Sequence, residues 1–457
     1  MRRFALVLLA GLPSALGAQG FGLYELGTCT MGRAGAAAAS PCPDGSAAFF
    51  NPGGLAGLSG TRFSTGVTLV GAYGSFTDDF LAHQTDLDNP LILVPNLYIA
   101  HALSPKLTVA LGAYAPYGLE TKWPTENFEG RFVGYNTKLR AIYIQPTIGY
   151  QASPILKLGI GVAYITSRLE LHQRADFSTQ RVPGQAFTFG SLGLPTGTDF
   201  ADAALDATGT GVAVNVGGIL KVSDRLSIGG HWLTRRTLDY DGTAEFTRLL
   251  TGLVLPPNNP LNPALGLPPT LPLPVDDLTL AQFAAGAPLS NGTVKTSLTM
   301  PPQGTLGFSY QVNDKWTVMG DYQLVVWGWF SSVDIDFQRF ANDTAVDLSL
   351  HPNNNDTHGF RFGAEYQYSD KVTLRGGYLH HTAASPPEFV TPLLPEGPRN
   401  EFTIGAGVTL TPKLRADLGY QYIKQNDRRG LVSTSAGNTG LYKFWGHLLG
   451  LGLAYTF

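Results

Sequence analysis

At its end the chain alternates Leu449, Leu451, Leu453, Tyr455 and Phe457 with Gly450, Gly452, Ala454 and Thr456. A period of two puts these two sets on opposite faces of one β-strand. The alternation recurs upstream, with Val212, Val214 and Val216 against Ala213, Asn215 and Gly217. Leu306, Phe308 and Tyr310 oppose Thr305, Gly307 and Ser309, and Ile142, Ile144 and Ile148 oppose Tyr143, Gln145 and Thr147. One face is large and apolar while the other is small or polar. A soluble barrel turns the large set inward; a membrane barrel turns it towards lipid.

A turn signature punctuates these strands. Ser104-Pro105-Lys106-Leu107, Ser153-Pro154-Ile155-Leu156, Ser223-Asp224-Arg225-Leu226, Asn313-Asp314-Lys315-Trp316, Ser369-Asp370-Lys371-Val372 and Thr411-Pro412-Lys413-Leu414 each lead directly into an apolar run. Each predicts a tight hairpin. Between them lie longer irregular stretches near 77–92, 119–135, 173–207, 244–292, 337–355, 383–398 and 426–440. Short turns alternating with long loops predict an all-β fold, a transmembrane antiparallel β-barrel of about 14 strands. Trp232, Trp316, Trp327 and Trp445 fall towards strand ends, where an aromatic girdle would sit. The final Phe457, in an alternating frame, is similar to the ending read by the outer-membrane barrel assembly machinery.

Composition fits this reading. Charged residues make up 14% of the 457 positions, below the roughly 25% of an ordinary soluble protein. No stretch beyond the first 20 residues offers about 18 uninterrupted apolar positions for a spanning helix. The balance of 31 basic and 34 acidic residues gives no clustered basic surface for nucleic acid. Arg2 and Arg3, the apolar run Phe4–Leu12 and the small residues Ala15, Gly17 and Ala18 have the order of a signal peptide over 1–18. The barrel is predicted over 61–457. Cys29 and Cys42, close together in an exported chain, point to a disulfide.

Residues 19–60 lack the period of two. A barrel of this size is too wide for its own side chains to fill, so this Gly- and Ala-rich stretch either hangs in the periplasm or folds into the lumen as a plug. Phe49 and Phe50 would pack it, Asn51 and Pro52 would fix a turn, and Gly53 and Gly54 would allow close approach to the wall. Two loops are unusually apolar for exposed segments. The 244–292 loop carries Leu253 and Leu255 among prolines, and the 173–207 loop carries Phe187 and Phe189. Such surfaces usually meet a ligand, a partner or a membrane, and these are read as ligand-capture loops.

Met31-Gly32-Arg33-Ala34-Gly35, Phe49-Phe50-Asn51-Pro52-Gly53-Gly54-Leu55-Ala56, Tyr114-Ala115-Pro116-Tyr117-Gly118-Leu119, Leu298-Thr299-Met300-Pro301-Pro302 and Thr391-Pro392-Leu393-Leu394-Pro395-Glu396 with Arg399 together resemble the FadL/TodX (OMPP1) family of outer-membrane transporters. Gly53 stands where that family commonly has Ala. The resemblance implies a monomer in outer-membrane lipid that takes up long-chain fatty acids or hydrocarbons. It implies a hatch that moves, a lateral exit at a kink near Pro116 and Gly118, and Phe21 near the ligand. Arg168, Arg174 and Lys295 are the candidate cations for a ligand carboxylate, although Asp334 stands where fatty-acid members have a lysine.

An enzyme is not expected. His380 and His381 are adjacent and point to opposite strand faces, and no metal or cofactor set is recognised. The rival reading is a general diffusion porin with a charged, open lumen.

Overall fold

The computed structural model describes residues 22–182, 186–330, 333–338, 348–350, 354–430 and 439–457. The proposed signal peptide and Phe21 lie outside them. Fourteen wall strands follow one another around the ring. They are β1 (Thr61–Asp78), β2 (Ile92–Ser104), β3 (Leu107–Lys122), β4 (Asn136–Gln151), β5 (Leu156–Asp176) and β6 (Asp199–Lys221). Three interrupted strands come next: β7 (Leu226–Leu233 and Arg236–Arg248), β8 (Gly292–Met300 and Gln303–Gln311) and β9 (Trp316–Val325 and Val333–Gln338). The ring ends with β10 (Thr357–Gln367), β11 (Val372–His381), β12 (Arg399–Thr411), β13 (Leu414–Gln425) and β14 (Gly440–Thr456). Each strand pairs antiparallel with the next, and β14 closes on β1 from Arg62↔Thr456 to Asp78↔Gly440. Closure leaves no unpaired edge for lipid, as a spanning sheet requires.

The aliphatic set of each alternating pattern faces out. Ile142, Val212, Leu306 and Leu451 are exposed, whereas Tyr143, Ala213, Thr305 and Gln145 are buried. Trp232, Trp316 and Trp445 lie on this outer surface, but Trp327 does not. It caps the gap between the two segments of β9 and is fully buried among the lumen residues. The short turns share one device. The Ser104 hydroxyl accepts from Leu107 N at 3.1 Å, Asn313 Oδ1 from Trp316 N at 2.9 Å, and the Thr411 hydroxyl from Leu414 N at 3.0 Å. A side-chain oxygen that stands in for a backbone acceptor is why these residue types begin the turns.

At the other end the strands run further than their alternation suggests. β5 has 21 residues, about 70 Å of extended chain, more than a tilted strand needs to cross an apolar band of about 25 Å. The loops expected at 173–207 and 244–292 therefore shrink to 177–198 and 249–291, because β5, β6 and β7 continue into them.

The lumen holds the N-terminal segment as a hatch. Short helices at Thr28–Met31 and Ala47–Phe50 and a 3-10 turn at Pro52–Leu55 carry it through the ring, and Cys29 is joined to Cys42. Asn51 is buried at the last turn. Its Nδ2 donates to Ala38 O at 2.6 Å and to Gly218 O of β6 at 2.9 Å, while Oδ1 accepts from Gly53 N at 3.0 Å. A Cβ on Gly53 would lie 2.8 Å from Gly218 Cα, and one on Gly159 would lie 2.2 Å from the Pro52 carbonyl carbon. Hatch and wall thus meet backbone to backbone. Side chains of the wall complete the anchorage: Asp321 accepts from Ala37 N and Ala38 N, Gln145 donates to Ala48 O, and Asn215 donates to Phe49 O.

Candidate functional site

Above the hatch the inner wall turns apolar. Leu139, Ile165, Leu169, Leu238, Leu298 and Met300 are all buried and face the same space. The frame of β5 shows how. Up to Tyr164 its outer positions are apolar (Leu158, Ile160, Val162); beyond Thr166 they are Arg168, Glu170 and Arg174, and the apolar residues move to the inner face. This inversion marks where the strand leaves the bilayer for water.

It also sets where the candidate cations lie. Arg168 points outward and pairs with Asp206 at 2.5 Å and Glu170 at 3.1 Å. Arg174 shares that outer face, 3.5 Å from Asp202 and over the Tyr135 ring. Lys295 is exposed, while its neighbours Val294 and Thr296 are buried towards the lumen. None of the three projects into the chamber. Asp334 lies in the second segment of β9.

The apolar loops close over this chamber. Phe189 stacks on Phe177 with ring centroids 4.3 Å apart, and Phe187 packs against the same cluster. Leu255 is buried, Leu253 is partly so, and Leu261, Leu273, Val275 and Leu289 join them. Asp276 staples this loop by accepting from Thr251 N at 2.8 Å and Gly252 N at 3.1 Å. Partial burial pushes its carboxyl up, but these bonds outweigh it and hold the group below its usual range. Leu250, Val254, Leu265 and Leu280 remain exposed on the outer side. The loop therefore offers apolar surface both to the medium and to the chamber.

The side wall is breached at β3. Pairing with β2 stops at Leu97↔Ala113. On the β4 side, Ala115 and Pro116 drop out between Tyr114↔Tyr143 and Tyr117↔Ala141. Proline has no N–H for the ladder, and Ala115 and Pro116 stand against Ile142 alone, so the one extra residue on β3 switches which positions face inward. A cavity of 420 Å³ fills the resulting gap. It is lined by inward residues such as Val94, Tyr114 and Leu139 and by outward ones such as Leu93, Leu97 and Ile142, so it runs through the wall. Gly118 lies on its rim. Leu23 of the hatch enters it, with Leu23 N donating to Pro116 O at 2.9 Å and Gly22 bridging Tyr117. Sequence reasoning found Pro116 and Gly118 but not Leu23, Tyr114, Tyr117 or Tyr143. The signal for Tyr114 and Tyr117 was their place on both sides of the proline.

Phe49, Phe50 and Tyr114 form the floor, with Phe49 5.0 Å from Phe50 and 5.3 Å from Tyr114 between ring centroids. A closed membrane barrel with a plugged lower lumen, an apolar upper chamber and a gap in its side defines an outer-membrane transport protein. The model of the family described as "Outer membrane protein transport protein (OMPP1/FadL/TodX)" matches residues 7–457. The chain belongs to that family. It is 24% identical to outer membrane protein P1 of Haemophilus influenzae, covering 99% of this chain and 98% of that one. It is 23% identical to a 47 kDa outer membrane protein of Pasteurella multocida, over 99% and 97%. Among solved structures, a FadL homologue from Pseudomonas aeruginosa superposes with a TM-score of 0.78 at 18% identity, over 96% of this chain and all of that one. The toluene transporter TodX of Pseudomonas putida superposes with a TM-score of 0.67 at 18% identity, over 96% and 99%.

Proposed function

We propose that the protein takes hydrophobic small molecules, long-chain fatty acids or hydrocarbons, from the outer surface into the chamber. They leave sideways beside β3 while the hatch closes the axial route. The observation that carries this reading is the cavity through the wall, continuous in character with the apolar chamber and bordered by the hatch residue Leu23. The exposed leucines of the 249–291 loop are the first contact, and Phe187, Phe189, Leu253 and Leu255 lead inward. Because Arg168, Arg174 and Lys295 turn away, the ligand is held by apolar contact rather than through a carboxylate. Phe49, Phe50, Asn51, Pro52, Gly53 and Gly54 anchor the hatch, which moves as a unit stapled by its disulfide. The barrel closes on itself through its own β14–β1 ladder, which suits a monomer inserted by the assembly machinery.

Binding of a long-chain fatty acid, its methyl ester and an aromatic hydrocarbon tests this. The ester and the hydrocarbon are expected to bind at least as well as the acid; binding of the acid alone would overturn the neutral-ligand reading. In planar bilayers the intact protein should show little steady conductance, and deletion of 19–50 should raise it. Large, steady conductance by the intact chain would favour the diffusion porin.

A further inference from the structure

Tyr117 is the first residue of β3 to rejoin the ladder after the kink, and its ring is buried at the inner mouth of the side opening. The hydroxyl does not end there. It crosses to β8 and donates to Pro301 O at 2.8 Å, and it accepts from Gln303 Nε2 at 3.1 Å. Gln303 Oε1 in turn accepts from Gln323 Nε2 at 2.8 Å, and Gln323 Oε1 from the Arg361 guanidinium at 2.5 Å. All of these side chains are buried.

The acceptor is available because β8 is broken where Tyr117 arrives. Pro301 and Pro302 separate its two segments, and β9 pairs with β8 only up to Gln303↔Val325 and again from Thr296↔Ile335. On either side of the prolines the inward frame shifts, from Leu298 and Met300 to Thr305 and Ser309. Two proline breaks on separate parts of the wall are thus joined by a single phenol.

We propose that Tyr117 is the inner gate of the side opening, latched shut by its hydroxyl against β8, and that this latch limits passage from chamber to opening. Swinging the ring aside breaks the bonds of the hydroxyl to Pro301 O and to the Gln303 amide inside a buried site. A hydrocarbon passing through cannot replace those bonds. The ring, by contrast, is an apolar surface over which such a ligand slides. The latch rests on the transport reading above, but it also predicts where the hatch tail sits, because Gly22 and Leu23 are held on the same stretch of β3.

Tyr117→Phe keeps the ring and deletes the hydroxyl. Cells carrying that variant should take up radiolabelled toluene about five- to a hundredfold faster, the range a lost pair of neutral hydrogen bonds gives, with equilibrium binding unchanged. A second readout does not need transport. With Cys29 and Cys42 joined, Leu23→Cys supplies the single reactive thiol, and a water-soluble maleimide should label it several-fold faster in the Tyr117→Phe background. Gln303→Leu, which spares the bond to Pro301, should move both readouts in the same direction by about two- to threefold, and it serves if Tyr117→Phe does not fold. Unchanged labelling and unchanged uptake in folded variants would overturn the latch. If the parent protein takes up neither toluene nor a radiolabelled long-chain fatty acid, the transport reading fails, and the labelling rates alone decide the latch.

Discussion

Below the strand breaks the lumen is filled by directed contacts; above them it is filled by contacts without direction. In the lower half, hatch and wall share a buried charge network. Arg375 lies 2.7 Å from both Glu365 and Asp417, and Arg33 of the hatch reaches Glu365 at 3.8 Å. In the upper half, Leu, Ile, Phe and Met from β4 to β9 and two loops enclose the chamber. Polar groups buried away from water must be paired in one geometry, so the lower half has one arrangement. Apolar walls lose little when a ligand of another shape replaces one contact by another. One chain thus combines a specified plug with an adaptable chamber, divided at the height where β3, β7, β8 and β9 are broken.

The sharpest way to break this contrast is Arg375→Met. It leaves Asp417 with Arg415 alone, at 3.2 Å, and Glu365 with the more distant Arg33. Removing one member of a buried ion network costs about 3–5 kcal/mol; the residual partners and the partly exposed Glu365 put the expected loss at about 3 kcal/mol. Urea unfolding in detergent should show it, together with greater conductance as the hatch loosens. A loss below about 1 kcal/mol would mean that the network does not hold the plug.

Phe189→Ala probes the other half. Deleting a buried phenylalanine costs about 3 kcal/mol or more in a rigid core, but here the cost should fall on the 177–198 loop. The urea midpoint of the barrel should stay in place, while proteolysis of the loop speeds up and hydrophobic ligands bind more weakly. A midpoint shift equal to that of Arg375→Met would erase the distinction between the halves.

These halves were not equally legible in the sequence. The outer face could be read because lipid demands large apolar side chains at every second position, and the six short turns because each begins with a side-chain acceptor. The plug could be read at Asn51-Pro52-Gly53-Gly54, where a turn former precedes two glycines. The chamber could not, because its residues are apolar at inward positions, and the alternation alone assigned large residues to lipid. Extending the β5 frame from Leu158 would have put Arg168 and Arg174 outside. Lys295 was harder, since the Pro301–Pro302 break shifts the frame of β8 after it. Long-range partners, such as Tyr117 with Pro301, leave no local trace.

The smallest expected effect concerns the chamber roof. Between β11 and β12, the 382–398 loop is pinned to the far wall by Trp123 Nε1 donating to Pro392 O at 2.9 Å and by the Thr121 hydroxyl donating to Leu393 O at 2.8 Å. Leu394 joins the chamber cluster. Glu396 is buried in this loop and accepts from Ala384 N at 3.2 Å. Burial pushes its carboxyl up from 4.5 to about 7, against the pull of Arg399, Arg428 and the amides of Ser385 and Ala384. An acid whose pKa is raised on folding favours the folded loop fully below its free pKa and loses that support as pH rises through the folded value. The roof should therefore be firmest below about pH 4.5 and loosen progressively between about pH 4.5 and 7. Amide exchange at Ala384 and Ser385, corrected for the intrinsic pH dependence, should report lower protection at the higher pH. Glu396→Gln keeps an acceptor for those amides but cannot ionise, so its protection should not change across that interval. A pH response that persists in Glu396→Gln would place the titrating group elsewhere, and the roof would then share the fixed character of the plug rather than the pliancy of the chamber it covers.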